Sequence, residues 1–353
     1  MTKPFEIKTN VSLKDLTTFK IGGEASFFVN AGSESDVFAA LGFAEKKGID
    51  VFVLGGGSNI LISDDGFDGL VLQIGLKGIL VNEKSHGGVE IRANAGEDWD
   101  DLVAYCVERE YAGIECLSGI PGFVGGTPIQ NVGAYGQEVS ESIESVRVFD
   151  RLTRSIENIS NSECGFEYRR SIFNTTHKDR YVVLSTTYLL QVNGAPRITY
   201  ADLQEKFGDS EPGLAETRAA VCDIRRSKGM LVRQGGPDSQ SAGSFFKNPV
   251  VDRKSFESIS AKAISRELGP VPNYPTGENM IKIPAAWLIE RSGFSKGFRI
   301  GNAGLSTVHS LALTNRGGAA ACEILELKNV IQKGVSENFG IDLVPEPNLI
   351  GFS

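Results

Sequence analysis

Two hydrophobic periods divide this chain of 353 residues. The helical period is clearest over residues 97–110, where Trp99, Leu102, Val103, Cys106 and Val107 recur at i, i+3, i+4, i+7 and i+8 and define one apolar face. That spacing predicts a helix whose tryptophan and cysteine belong to a core. Residues 35–47 repeat the pattern through Val37, Leu41 and Ala44, and Gly48 follows as a C-terminal stop. Weaker versions predict helices at 216–226, 255–268, 284–290 and 322–333. Short apolar or alternating runs predict strands at 26–30, 51–54, 60–62, 70–74, 89–93, 181–192 and 311–313, and a hairpin from 146–149 and 154–159. Residues 1–16 carry no pattern, and 17–23 read as a turn. Strands and helices interleaved in this way give an α+β or mixed α/β protein. The polar stretch 205–214, with Gly208, Pro212 and Gly213, marks a domain boundary.

Three stretches fit neither period. Gly55-Gly56-Gly57-Ser58-Asn59 follows the apolar strand 51–54 directly. Its successive N–H groups carry no Cβ to obstruct an anion, which is how a loop cradles a phosphoanhydride. A tight strand-to-strand turn explains the same residues equally well. It is neither a P-loop nor a Rossmann fingerprint, because the required Lys and glycine spacings are missing. The second stretch, residues 117–136, has too much Gly and Pro for regular core and too many apolar residues for a linker. It should be an ordered loop against a ligand. The third is Ser241-Ala242-Gly243-Ser244-Phe245-Phe246-Lys247-Asn248-Pro249. Its Ser244 can be a nucleophile, a proton donor or a buried, satisfied hydroxyl; the stretch alone favours the last, and the rest of the chain has to decide.

Composition narrows the classes. The 36 basic and 44 acidic residues give a net charge of -8, which argues against a dedicated nucleic-acid or anionic-membrane surface. No apolar window approaches the roughly 20 residues of a spanning helix, and the N-terminus is not patterned as a signal peptide. The five cysteines are scattered with no C-x-x-C, so neither a disulfide framework nor a zinc site is expected, and a reducing cytoplasm is the default. Three histidines, His86, His177 and His309, lie far apart, which disfavours a histidine metal site or a Ser-His-Asp triad.

Residues 18–23 (Thr-Phe-Lys-Ile-Gly-Gly), 54–59, 120–126 and 130–136 together resemble the flavin-binding half of the UDP-N-acetylenolpyruvoylglucosamine reductase family of peptidoglycan-precursor synthesis. Residues 166–173, 242–249 and Pro345-Glu346-Pro347 resemble its other signatures, and 198–203 resemble the form with a substrate-capping tyrosine. The matches run in order along nearly the whole chain. The resemblance implies an α+β protein with an FAD-binding domain of the vanillyl-alcohol-oxidase (PCMH) type in two α+β subdomains, residues 1–80 and 81–215. A C-terminal α+β substrate domain, 216–338, and a tail, 339–353, returning to the active site would complete it.

The same resemblance implies that NADPH reduces non-covalent FAD, and that flavin N5 then passes hydride to the enol ether of UDP-N-acetylglucosamine enolpyruvate. Hydride addition builds negative charge beside the substrate carboxylate, which calls for fixed cations and hydrogen bonders there. Arg169 matches the family's arginine for that carboxylate, Glu346 its stabilising glutamate and Ser244 its proton donor. Tyr200, Lys228 and Asn248 match nucleotide-binding positions. For FAD the matched residues are Gly55, Gly56, Gly57, Ser58, Asn59, Ser118, Gly122, Gly125, Gly126, Asn131 and Tyr135. Without the motifs, Arg169 reads as a surface ion pair and Glu346 as a solvated charge. The family often has an arginine two residues past the glutamate, where this chain has Asn348; His309 reads as structural. A monomer without metal, nucleic-acid partner or membrane insertion is expected. The alternatives are another FAD-linked oxidoreductase of this fold and a non-catalytic nucleotide-sugar binder.

Overall fold

The computed structural model describes residues 5–84, 87–231, 236 and 238–352. Their packing separates two compact units. Unit one is Met1–Val11, Ala25–Gly57 and Asp68–Ser227; unit two is Ser12–Glu24, Ser58–Phe67 and Lys228–Ser353.

Among the described residues, unit one contains two larger sheets and a two-stranded antiparallel ribbon, Gly133–Ala134 with Gln137–Glu138. The first is ordered Lys8–Ser12, Glu24–Ala31, Phe67–Ile74, Val51–Leu54, and its last two strands run parallel. The second is an antiparallel sheet ordered Ser155–Ser160, Ile143–Asp150, Tyr181–Val192, Gly88–Asn94, Ile79–Glu83, with Tyr111–Ala112 added beside Tyr181–Val192. Helix α1, Glu34–Lys47, starts in a reciprocal cap. Ser33 Oγ accepts the Asp36 N–H at 3.2 Å, Asp36 accepts the Ser33 N–H at 2.9 Å, and Gly48 ends the helix at φ 65°. Helix α2, Trp99–Glu108, buries the whole stripe that its spacing predicts. Helices α3, Ala201–Phe207, and α4, Leu214–Ser227, complete the unit. Because α4 packs on α2, unit one reaches Ser227, beyond the boundary drawn from the polar stretch 205–214.

Unit two has a core around Phe245, Phe246, Leu288, Leu313 and Leu327, joined by Phe19, Ile21 and Leu61 from the early segments. Those three apolar side chains explain why residues 12–24 and 58–67 group with the C-terminal part. Helices α5, Arg253–Ser265, α6, Ala285–Arg291, and α7, Ala321–Phe339, surround two three-stranded antiparallel sheets. Helix α7 runs past the expected end at 333 because Val335 and Phe339 continue its buried stripe. Its internal Gly334 is there for space, since a Cβ would lie 2.6 Å from Phe294 Cε2. Strand Asn348–Ile350 pairs in parallel with Ile60–Ile62. No helix of the described residues is long and apolar enough to cross a membrane.

Candidate active site

In unit one, the strand Val51–Leu54 runs straight into Gly55-Gly56-Gly57. A Cβ on Gly56 would sit 2.7 Å from Gly122 Cα and 3.0 Å from Phe123 N. The two glycine-rich loops, far apart in sequence, therefore touch backbone to backbone, and only glycine permits that approach. Residues 122–126 are fixed from behind. The Trp99 N–H donates to the Gly122 carbonyl at 3.0 Å, Val124 to Glu97 at 2.8 Å and Gly125 to Ala95 at 2.9 Å. A Cβ at Gly125 would meet Ala95 Cβ at 2.6 Å. Gly55 and Gly126, by contrast, have no described residue within 4 Å of a Cβ. Gly56, Gly122 and Gly125 thus serve packing, while Gly55 and Gly126 present backbone to open space.

Ser118 and Asn131 lie inside the fold. Ser118 is fully buried and its hydroxyl donates to the Glu115 carbonyl at 2.6 Å. Asn131, 1% exposed, donates to Glu138 at 2.7 Å and the Glu167 carbonyl at 3.1 Å, and accepts the Ser140 N–H at 3.1 Å. Both hold the loop by these bonds.

Arg169, Tyr135 and Tyr200 come together around residues 133–136. Arg169 donates to the Gly133 carbonyl at 2.8 Å, and Gly133 leaves room for the guanidinium, whose Nη1 would lie 3.2 Å from a Cβ there. Tyr135, buried at φ 49°, meets the exposed Tyr200 edge to face at 5.3 Å. A Cβ on Gly136 would sit 2.4 Å from Thr199 Oγ1, so segment 199–200 lies directly over this turn.

Unit two assembles the other candidates. Gly243, at φ 71°, turns the chain into Ser244. The Phe245 N–H donates to Leu311 at 2.8 Å, the Glu346 N–H to the Phe245 carbonyl at 2.8 Å, and the Lys247 N–H to Val344 at 2.9 Å. Residues 245–247 thus pair with the tail, and Glu346 becomes a neighbour of Ser244. Phe245 and Phe246 point into the core, 0% and 1% exposed. Ser244 is half-buried, and its hydroxyl has no hydrogen bond among the described residues. Asn59 Nδ2 donates to the Glu346 carbonyl at 3.3 Å, and its own carbonyl accepts the Asn348 N–H at 3.1 Å. Asn59 thus belongs to the frame of the tail, and Ser58, whose carbonyl accepts the Thr18 hydroxyl at 3.5 Å, also groups with unit two. Asn248 Oδ1 accepts the Ala285 N–H at 2.9 Å at the start of α6, which leaves its amide N–H groups to donate. Asn348 is exposed in its strand.

Lys228 is half-buried. Burial, then the charges of Lys228 and Lys296, push the His309 imidazole down to about 4, so it is neutral at pH 7. Of the linker after Lys228, Val232, Arg233 and Gln234 lie outside the described residues, as does His86.

Two charged groups escaped the sequence reading. In unit two, Asp238 and Arg316 form a buried pair at 2.9 Å, and Asp238 also accepts the Thr307 N–H at 2.9 Å and hydroxyl at 2.6 Å. In unit one, Asp100, Arg218 and Arg225 surround Gly119. Charged residues on helices read as solvated faces, and only the seven-residue spacing of Arg218 and Arg225 hints that α4 presents both to one side.

The glycine loops of unit one fit a flavin dinucleotide: two adjoining backbones, two glycines open to solvent and buried anchors behind them suit a long, flat ligand with a pyrophosphate.

Residues 25–154 match the family profile described as FAD binding domain, and residues 236–350 match that of the C-terminal domain of UDP-N-acetylenolpyruvoylglucosamine reductase. The UDP-N-acetylenolpyruvoylglucosamine reductase of Thermobifida fusca is 44% identical over 349 residues, 97% of each chain. That of Salinispora arenicola is 45% identical over 349 residues, covering 96% of this chain and 94% of the other. The crystal structure of the Thermus caldophilus reductase superposes with a TM-score of 0.66 at 24% identity over 98% of both chains, a likeness of fold.

Proposed function

Because the chain belongs to the UDP-N-acetylenolpyruvoylglucosamine reductase family, we propose that it reduces UDP-N-acetylglucosamine enolpyruvate to UDP-N-acetylmuramate with NADPH, in peptidoglycan-precursor synthesis. It is an FAD-dependent oxidoreductase. FAD, when bound, would supply the two-electron hydride chemistry that links NADPH to the enol ether.

The chain's residues do the rest. Gly55 and Gly126 admit the dinucleotide to the backbone, Gly56, Gly122 and Gly125 let the loops pack closely behind it, Ser118, Asn131 and Tyr135 hold or line the second loop, and Gly57, Ser58 and Asn59 complete the FAD-binding set. Arg169 offers a guanidinium to the substrate carboxylate, where negative charge grows as hydride arrives. Ser244 Oγ–H gives its proton to the carbon beside that carboxylate, and Glu346 is part of the electrostatics of that step. Lys228 and Asn248 bind the nucleotide diphosphate, and Tyr200 covers it.

One observation carries the assignment of Ser244. Among the described residues its hydroxyl has no hydrogen bond, while the backbone on its C-terminal side is fixed, the Phe245 carbonyl accepting the Glu346 N–H at 2.8 Å. A proton donor needs such a stiff mount and an unengaged O–H. The five cysteines are free thiols, which suits the cytoplasm as the place of the reaction. The proposed working form is a single chain of 38.0 kDa, which light scattering would check.

The test is anaerobic. NADPH should bleach the yellow protein, and the enolpyruvyl nucleotide should restore its colour with formation of the muramate product. A purified protein with no flavin spectrum that consumes no NADPH with this substrate would refute the reading.

A further inference from the structure

Gly119 opens the second glycine-rich loop at φ 71°, and both of its polar backbone atoms are held by charged side chains. Its N–H donates to Asp100 Oδ1 at 2.6 Å, and its carbonyl accepts from Arg225 Nε at 3.0 Å. Asp100, in the first turn of α2, is gripped through both oxygens by Arg218 of α4, at 2.6 and 3.1 Å. Arg225 stands two helical turns further along α4, is 8% exposed, and hydrogen bonds to Tyr135 as well. Two residues before Gly119, the Leu117 carbonyl accepts Trp99 Nε1–H of α2 at 3.0 Å.

Apolar contacts could join α2 to α4 without the desolvation that buried charges incur. What a ring of charged groups adds is direction. A carboxylate and a guanidinium on the N–H and carbonyl of one residue fix how its peptide groups are turned. In a positive-φ glycine that orientation is otherwise soft, because no Cβ restricts it. Gly122, Gly125 and Gly126 follow within a few residues, so a rotated Gly119 would re-aim the backbone that meets the ligand.

We propose that Asp100, with Arg218 and Arg225, is a positioning device for the flavin loop, locking the Gly119 peptides so that residues 119–126 meet FAD in one geometry. The inference rests on the flavin reading above. Asp100 touches neither cofactor nor substrate in this account; it acts through Gly119.

Three variants test it: Asp100→Ala, Asp100→Asn, which keeps an acceptor for the Gly119 N–H, and Asp100→Ala/Arg218→Ala, which removes the stranded cation should the single variant fold poorly. Apoprotein is titrated with FAD, and flavin absorption and emission are recorded. Asp100→Ala and the double variant should raise the FAD Kd about tenfold, the loss of one charge-assisted hydrogen bond, and shift the bound-flavin spectrum. Asp100→Asn should stay within about threefold of the parent on the same scale. Equal affinity and spectrum in parent and Asp100→Ala would overturn the proposal. So would equal losses in the Ala and Asn variants, which would mark a role confined to charge or stability. Trp99 emission, read in a Trp287→Phe background, separates the two layers of the argument. If the parent binds no FAD, the flavin reading falls, and with it the cofactor role. The clamp is then judged by whether Asp100→Ala, but not Asp100→Asn, shifts Trp99 emission; no shift overturns it also.

Discussion

Residues 117–126 and residues 241–249 are both glycine-containing loops that carry candidate ligand-binding groups, yet they are fixed by different physics. The first is tied by charged side chains and neighbouring backbone of its own unit: Asp100 and Arg225 on Gly119, the Ala95 and Glu97 carbonyls accepting from Gly125 and Val124, and the Trp99 N–H donating to Gly122. The second is held by strand-like pairing with residues 344–346 and by two phenylalanines sunk in the core. In the proposed function, the first loop works through its backbone, so each peptide must be oriented, and the second through one side chain, so it suffices to immobilise the neighbours of Ser244. Directional clamps suit a loop that binds through main chain; hydrophobic anchoring suits a loop that presents a hydroxyl.

That contrast can be broken experimentally. The largest effect is expected from Ser244→Ala. Turnover should fall by about 10²–10⁴-fold, the range for removing a general acid. FAD binding and bleaching by NADPH, the province of the first loop, should be unchanged in stopped-flow traces. Normal turnover would remove Ser244 from the mechanism. Phe246→Ala should cost about 3–5 kcal/mol of stability in urea titrations, because a fully buried aromatic leaves a cavity. If the cost were under 1 kcal/mol, the second loop would not depend on its aromatic anchors.

Unit two also carries a pH signature. The His309 imidazole falls from 6.5 unfolded to about 4 folded. The unfolded chain therefore binds the extra proton first as pH drops, and stability present above pH 6.5 is lost down to pH 4. The loss is on the order of 3 kcal/mol. His309→Gln should flatten that part of the profile in denaturation series at pH 7, 5.5 and 4; an unchanged slope would clear His309 of it. Smaller again, Gly56→Ala should weaken FAD binding by roughly 1–3 kcal/mol, the usual range for overpacking, since its Cβ collides with Gly122 backbone. Gly126→Ala meets no atom of the described residues within 4 Å, so the apoprotein should fold normally, and any loss of FAD affinity would locate ligand at that point. Asn59→Ala, which removes one hydrogen bond to the tail, should cost about 1 kcal/mol; calorimetry would show whether the tail depends on it.

Periodic elements were legible in the residues. Strands 51–54 and 181–192 form with the expected bounds, and α2 buries Trp99, Leu102, Val103, Cys106 and Val107 as their spacing requires. Strand Lys8–Ser12 was not legible, because its residues are almost all exposed and carry no apolar alternation. Helix α3 was not either, since a seven-residue helix with one buried side chain, Leu203, leaves too short a stripe. The motif residues showed which side chains to examine, but not that Asn131 and Ser118 face inward, that Asn59 ties down the tail, or that Gly119 sits in a ring of charges.

The local pattern alone determined the regular elements, the two glycine-rich loops and the short list of chemical groups, because periodicity and the freedom of glycine are properties of neighbouring residues. The tertiary structure alone decided that Gly56 meets Gly122, that Glu346 lies beside the Ser244 stretch and that α4 sends Arg218 to Asp100 and Arg225 to Gly119. Those pairings depend on long-range closure, in which backbone hydrogen bonds and buried side chains select partners that no sequence spacing encodes.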